Sequence, residues 1–175
     1  GEAIGMVFQE PQSSLNPSMR CGPQVLEVLQ QHRSSGEATQ EIVLTAFEQV
    51  LLPEPKRIFK AYPHELSGGQ KQRVMIAMAL ICQPKLLICD EPTTALDVTV
   101  QKEVLALLKQ LQQQYKMSIL FISHDLSLVR SFADSVLVMQ GGKIVEQGSA
   151  KSLFSKPQHA YTKGLLSARP PLAQR

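Results

Sequence analysis

Two adjacent carboxylates, Asp90 and Glu91, come directly after the apolar run Leu86 to Cys89. A short apolar run of this kind is typical of a buried strand, so both carboxylates stand at its C-terminal end. Open α/β sheets bind ligands at that edge. Mg²⁺ needs only one or two carboxylates when nucleotide phosphates supply further ligands. The pair therefore fits a site in which Asp90 holds Mg²⁺ and Glu91 polarises an attacking water, although polar residues also follow many strands without such a role.

The segment Leu66-Ser67-Gly68-Gly69-Gln70 stands at the start of a helical pattern that runs through Cys82. Two glycines let an anion approach the backbone N–H groups closely, and a helix N-terminus carries partial positive charge. The hydroxyl of Ser67 adds a further donor. The segment fits an anion site, and the alternative is an ordinary serine N-cap followed by a Gly-Gly turn.

Three more polar residues stand next to predicted elements. His124 follows the apolar run Ser118 to Ile122. It would reach the edge with the two carboxylates, and hydrogen-bond a phosphate there, if the two strands are neighbours in a right-handed βαβ unit. Gln9 follows the first apolar run and would reach the waters of a bound metal, whereas Asp97 stands before a helix as an N-cap or as an interface residue. For His124 and Gln9 the alternative is an exposed loop residue.

The elements that position these residues alternate between apolar strands and helices. We predict strands at Ile4 to Phe8, Leu86 to Cys89, Ser118 to Ile122 and Val136 to Met139, and helices at Ser67 to Cys82, Val98 to Tyr115 and Leu126 to Phe132. Because the apolar runs lack polar alternation, we expect strands covered on both faces and a largely parallel sheet, hence an α/β fold. Gly141-Gly142 predicts a two-residue hairpin that adds an antiparallel edge.

A small helical insert interrupts this alternation. Apolar residues between Pro23 and Leu52 recur at helical spacing and fall into two helices, divided by the polar stretch Ser34-Ser35-Gly36. We expect the insert to be closed by prolines, at Pro53, Pro55 and Pro63. A last short helix is predicted near Tyr161 to Ala168, before a proline-rich end.

Composition narrows the function classes. The chain has 175 residues, with 18 basic and 15 acidic side chains that give a net charge of +3 and form no basic stripe, which argues against a nucleic acid partner. The longest apolar runs are too short to cross a bilayer. The three cysteines form no CxxC pair, which favours a reduced, cytosolic setting. The first residues, Gly1 to Gly5, lack an initiator Met and a signal peptide's basic region, which we interpret as a cut edge.

Taken together, five segments resemble the motifs of ABC ATPases, and they occur in that family's order over nearly the whole chain. They are Phe8-Gln9-Glu10 (Q-loop), Leu66 to Arg73 (signature), Leu87 to Pro92 (Walker B), Ala95-Leu96-Asp97 (D-loop) and Ser123-His124-Asp125 (H-loop). The resemblance implies a P-loop NTPase fold, a RecA-like core with a mostly parallel sheet flanked by helices and a helical subdomain insert. Residues 1–17 would belong to the catalytic core, 18–66 to the helical subdomain, 67–155 to the core again and 156–175 to a C-terminal tail.

The same resemblance implies a role for each candidate residue. ABC ATPases hold ATP between two such domains, so the ligands here would be ATP and Mg²⁺, and a second ATPase subunit would be a partner. The catalytic residues would be Glu91 and His124, and the metal would be served by Asp90 and Gln9. The partner's nucleotide would be contacted by Ser67, Gly68, Gly69 and Gln70, while Gln9 would serve the nucleotide bound in cis and Asp97 the dimer interface.

Three weaker segments resemble the oligopeptide, dipeptide and nickel importer branch of the family. They are Gln9 to Pro17, Tyr62 to Glu65 and Thr162 to Leu166, and the branch usually has proline where this chain has Ala160. This resemblance implies an ATP-hydrolysing subunit that powers uptake of peptides or a related small solute. It would sit peripherally on the cytoplasmic face of the cell membrane, contact permease subunits through the helical insert, and serve a solute-binding protein indirectly.

One departure from the family pattern affects the expected activity. No G-x-x-x-x-G-K-[ST] segment occurs in the 175 residues, so the α and β phosphates of a nucleotide lack their usual cradle. We therefore expect these residues alone to bind ATP weakly and not to hydrolyse it. Two alternatives stay open: an ABC ATPase without a transport role, which the lack of heptads and basic runs disfavours, and a non-catalytic remnant that keeps the signature face.

Overall fold

The chain divides into two units, Gly1–Ile122 and Ser123–Arg175. The computed structural model describes residues 3–10, 14–32, 39–94 and 96–167. The described elements of the first unit are β1 (Ile4–Val7), α1 (Cys21–His32), α2 (Gln40–Gln49), α3 (Pro55–Lys60), a 3₁₀ helix (Pro63–Glu65), α4 (Gly68–Leu80), β2 (Leu86–Asp90), α5 (Val98–Tyr115) and β3 (Ser118–Ile122). Those of the second unit are α6 (Leu126–Phe132), β4 (Ser135–Gln140), β5 (Lys143–Ser149), α7 (Ala150–Ser155) and α8 (Ala160–Ser167).

A parallel sheet in the order β1-β2-β3 forms the centre of the first unit. Val7 pairs with Cys89, which pairs with Phe121, and Asp90 pairs with Ile122 at the carboxyl edge. Because β1 and β3 flank β2 in parallel, the residues that follow β1 and β2 leave the sheet on the same side. The predicted parallel sheet and the α/β class are confirmed.

The two faces of this sheet differ in burial. Gly5, Val7, Leu87 and Cys89 point to a buried face, on which α4 packs with the backbone of Ala79 close to Gly5. On the other face the side chains of Ile4, Met6, Leu120 and Ile122 are 39% to 49% exposed. The expectation of strands covered on both faces is therefore wrong for the described residues. An apolar run indicates what a strand can bury, and the described elements of the first unit cover one face only.

The described residues of the helical insert form three α-helices rather than the two expected. Thr39 caps α2 by accepting the N–H of Ile42, and α1 packs against α2, α3 and α4 around the fully buried Phe47. The additional helix, α3, begins at Pro55, which was expected only to close the insert. Proline is favoured at the first helical position because a backbone N–H there would have no intrahelical acceptor, so its absence costs no hydrogen bond. The predicted divider, residues 34–36, lies outside the described residues.

Helices α4 and α5 have the bounds that their signals predict, within two residues. α4 ends at Leu80, slightly before the predicted end at Cys82, and Pro84 follows. α5 covers the predicted range and buries one face, formed by Val104, Leu105, Leu107, Leu108 and Leu111. Among the described residues, no helix combines the length and apolar character needed to span a membrane.

The second unit contains the hairpin expected at Gly141-Gly142. Both glycines have positive φ, +55° and +76°, as a two-residue hairpin turn requires. The strands β4 and β5 pair with each other as a separate two-stranded sheet, so the expectation that the hairpin extends the parallel sheet is wrong. The two glycines predict the turn, but they do not indicate which sheet the hairpin joins. The core of the second unit is formed by Val136 and Val138, which pack with Ala150 and Leu153 of α7. Helix α7 was not predicted.

Candidate active site

The carboxyl edge of β2 carries the two acidic residues. Asp90 is the last residue of the strand, and the backbone N–H of Glu91 donates to the carbonyl of Ile122 on β3 at 3.0 Å. Glu91 has φ = +45°, a left-handed conformation that costs a non-glycine residue about 1 kcal/mol or more. The chain therefore turns sharply out of the sheet at Glu91. Strain of this kind is typical of functional sites, where the surrounding structure holds it in place.

Two donors hold the side chain of Glu91. The amide Nε2 of Gln9, two residues beyond β1, donates to Glu91 Oε2 at 3.0 Å. The hydroxyl of Thr94 donates to the same oxygen at 2.9 Å. The structure thus brings together two predicted site residues, Gln9 and Glu91, that are 82 positions apart in the chain. It adds Thr94, which sequence reasoning missed, although a hydroxyl three residues after an acid in a turn is a recognisable signal for such a bond.

The turn that contains Thr94 is held by a side-chain hydrogen bond from α5. Gln101 on α5 donates its amide Nε2 to the hydroxyl of Thr93 at 3.1 Å, and Thr93 is buried. The backbone N–H of Thr94 also donates to the carbonyl of Glu91. The turn after Glu91 therefore holds its shape through contacts that do not involve the Thr94 hydroxyl.

The donor chemistry at this edge suits a hard cation. Asp90 and Gln9 offer a carboxylate and an amide oxygen, the ligand types that Mg²⁺ prefers. Cys89, next to Asp90, is buried in the sheet, and burial raises the pKa of its thiol to about 12. It remains a neutral thiol at neutral pH. Among the described residues, no cluster of three or more His, Cys, Asp or Glu side chains could hold a metal by itself.

His124 follows β3 by two residues and is exposed. The strand ends at Ile122, which pairs with Asp90 at the carboxyl edge of the sheet. His124 belongs to the second unit, and its place in a shared site stays a prediction. Next to it, Asp125 caps α6 by accepting the N–H of Ser127 at 2.7 Å.

The start of α4 is a reciprocal capping box. Ser67 Oγ accepts the N–H of Gln70 at 3.3 Å, and Gln70 Oε1 accepts the N–H of Ser67 at 3.0 Å. The structural alternative for Ser67, a helix N-cap, is thus present in the molecule. The box satisfies the N–H groups of Ser67 and Gln70. The N–H groups of Gly68 and Gly69 belong to the first helical turn, where a helix offers no acceptor of its own.

Asp97 occupies the corresponding position at the start of α5. Its Oδ1 accepts the N–H of Thr99 at 3.1 Å and that of Val100 at 3.0 Å. The N-cap alternative for Asp97 is therefore observed, while an interface role stays a prediction. Asp97 is exposed, so the cap does not shield it from other molecules.

Comparison with known proteins decides the family. Residues 1–94 match the family model described as ABC transporter. The chain belongs to this family. Members of the ABC ATPase family bind ATP, which agrees with the chemistry of the edge formed by Gln9, Asp90 and Glu91.

Curated relatives of this ABC domain are named as transport ATP-binding proteins. The peptidoglycan transport ATP-binding protein YejF of Agrobacterium fabrum is 56% identical over 97% of this chain, which covers 31% of the relative. The oligopeptide transport protein OppD of Salmonella typhimurium is 51% identical over 98% of the chain, which covers 51% of it. The dipeptide transport protein DppD of Escherichia coli is 46% identical over 99% of the chain, which covers 54% of it. The chain thus spans about a third to a half of these relatives.

Solved ABC structures share the fold. The structure of cbiO1 from Clostridium perfringens, part of the ABC transporter complex cbiONQ, has a TM-score of 0.75 and 32% identity. It matches 89% of this chain and 60% of its own length. The ATP-binding cassette MJ0796, a dimer in a post-hydrolysis state bound to ADP and Pi, has a TM-score of 0.71 and 30% identity. That match covers 85% of this chain and 63% of the cassette.

Proposed function

We propose that this chain belongs to the ATP-binding and ATP-hydrolysing subunit of an importer for peptides or a related small solute. The observation that carries the proposal is the carboxylate of Glu91, held at the sheet edge on a strained backbone by the amide of Gln9. The names of the relatives support the transport role and the peptide class of solute. They favour it over an ABC ATPase that acts on nucleic acid.

Glu91 would act as the base that orients and deprotonates the attacking water. A carboxylate with a fixed orientation can accept a proton at a defined oxygen, and the hydrogen bonds from Gln9 and Thr94 fix it. Asp90 and Gln9 would hold Mg²⁺ through their oxygens. When bound, Mg²⁺ neutralises negative charge on the phosphates. His124 would hydrogen-bond the terminal phosphate.

The turn at the start of α4 would serve a nucleotide held mainly by a second ATPase subunit. Gly68 and Gly69 present first-turn N–H groups at the positive end of the helix, next to the hydroxyl of Ser67 and the amide of Gln70. Asp97 would lie in the same dimer interface. An anion bound there would complete a charge-stabilising shell that one subunit leaves open.

The membrane role rests on the helical insert. We propose that residues 18–66 contact permease subunits at the cytoplasmic face of the membrane and that a solute-binding protein acts indirectly through them. The segment that contains Gln9 joins the insert to the sheet edge along the chain, and we expect it to couple permease contact to the site at Glu91.

The direct test is Glu91→Gln in the full-length protein. The amide cannot accept a proton from water, so ATP hydrolysis should fall at least about 100-fold while ATP binding is retained. Phosphate release and binding of a fluorescent ATP analogue measure the two separately. Glu54→Gln, at an exposed residue in a weak surface ion pair, is the matched control and should change neither. Unchanged phosphate release in Glu91→Gln would remove Glu91 from the role of base.

A further inference from the structure

Arg73 on α4 joins three helices of the first unit. Its Nη1 donates to the carbonyl of Val50, at the end of α2, at 3.0 Å. Its Nη2 donates to Glu103 Oε2, on α5, at 3.0 Å. The side chain of Arg73 is only 12% exposed, whereas that of Glu103 is 56% exposed. The guanidinium is thus enclosed between the helical insert and the two helices α4 and α5, which Ser67 and Asp97 cap.

The contact with Val50 has a clear electrostatic origin. Val50 is the C-cap of α2, where helix carbonyls lack intrahelical donors and the helix dipole is negative. The chain leaves the helix through Leu51, which has φ = +56°. A planar guanidinium can donate in two directions at once, to the carbonyl and to the carboxylate. A lysine ammonium lacks this rigid fork, so it would not hold both partners equally well.

A second contact aligns the starts of α4 and α5. A Cβ placed on Gly69 would lie 2.8 Å from Cγ1 of Val100, too close for any side chain without movement. The first turn of α4 therefore packs directly against the first turn of α5. Arg73 and Glu103 stand one turn further along the same faces, since they follow Gly69 by four residues and Val100 by three.

We infer that Arg73 is a positioning residue that fixes the α4 turn of Ser67 to Gln70 relative to Asp97 and to the end of α2. The inference deepens the proposed function and rests on it, because it concerns the two elements proposed to meet a second subunit. It assigns no contact between Arg73 and the nucleotide.

The test measures ATP-dependent dimerisation of the full-length protein in a Glu91→Gln background, by sedimentation, next to binding of a fluorescent ATP analogue. Arg73→Gln should weaken dimerisation about tenfold, within the range expected for coupling between sites, and leave analogue binding in cis unchanged. Arg57→Gln is the matched control, because Arg57 forms an exposed ion pair with Glu54 within one loop and helix start. It should dimerise like the parent.

The outcomes separate positioning from a merely structural role. Equal dimerisation of the Arg73→Gln and Arg57→Gln variants overturns the inference. So does a loss of analogue binding in Arg73→Gln by the same factor as the loss of dimerisation. If Arg73→Gln does not fold, Arg73→Lys and Glu103→Gln take its place, and each should weaken dimerisation by about fivefold, with parent-like dimerisation as the contrary result. A parent that neither binds ATP nor dimerises with it overturns the proposed function itself.

Discussion

Replacing Thr94 by valine removes one of the donors that orient Glu91 and keeps the shape of the side chain. The lost bond, 2.9 Å from Thr94 Oγ1 to Glu91 Oε2, is charge-assisted. Buried bonds of this type contribute about 1.5–3 kcal/mol. Thr94 is exposed, so water can replace part of the interaction, and we expect a loss of about 1 kcal/mol in the transition state. That corresponds to about a fivefold lower kcat.

Steady-state ATP hydrolysis by the full-length protein measures this effect. Because Thr94 contacts Glu91 and the turn is held separately through Thr93 and Gln101, kcat should fall while KM for ATP stays unchanged. Thr94→Ser keeps the hydroxyl and should retain nearly the parent rate. If the valine variant keeps the parent kcat, the hydroxyl does not orient Glu91. If the serine variant is impaired as much as the valine variant, the methyl group rather than the hydrogen bond is responsible.

Three further predictions follow from other contacts. Deleting residues 18–66 from the full-length protein should abolish its co-purification with permease subunits, whereas retained binding would place the contact elsewhere. The thiol of Cys89, whose pKa burial raises to about 12, should react with iodoacetamide at neutral pH only after unfolding, as mass spectrometry of native and denatured protein would show. The hydroxyl of Thr162 and two backbone N–H groups before α8 lower the pKa of Glu146 below its ordinary 4.5. The ionised carboxylate of Glu146 therefore stabilises the fold above its ordinary pKa, and this stabilisation is lost as the pH falls through the lowered pKa. In Glu146→Gln, the free energy of unfolding measured by circular dichroism should fall less steeply as the pH is lowered.

The sequence predicts the elements near the candidate site better than it predicts their surroundings. The range of α5 follows from a clear N-cap at Asp97 and an apolar stripe, and Asp90 and Glu91 lie at the predicted strand end. The short helix α3 was missed because six residues carry too little periodicity, and Pro55 was interpreted as a stop rather than a start. The predicted hairpin is present, but the prediction that it joins the parallel sheet is wrong. Local turn chemistry fixes the turn, whereas strand partners depend on contacts that are distant in the chain.

The contacts of single side chains are harder to predict from the sequence than the motifs. Gln9 and Glu91 were both expected at one edge, yet no local signal reports that they bond directly across 82 positions. Arg73 stands inside the signature segment, but its partners on α2 and α5 are 23 and 30 positions away. Such bonds form because the packing of the helices brings the groups within reach. They become visible only once that packing is known.

The capping roles of Ser67 and Asp97 do not compete with their proposed roles at an interface. At the start of α4 the capping box uses the N–H groups of Ser67 and Gln70, so the first-turn N–H groups of Gly68 and Gly69 are the ones that an anion would meet. At the start of α5 both cap bonds of Asp97 end on Oδ1, so a group from a second subunit would bind at Oδ2. In each case the cap fixes the backbone that presents the remaining atoms. The N-cap roles of Ser67 and Asp97 are thus a condition for the roles proposed for them at an interface.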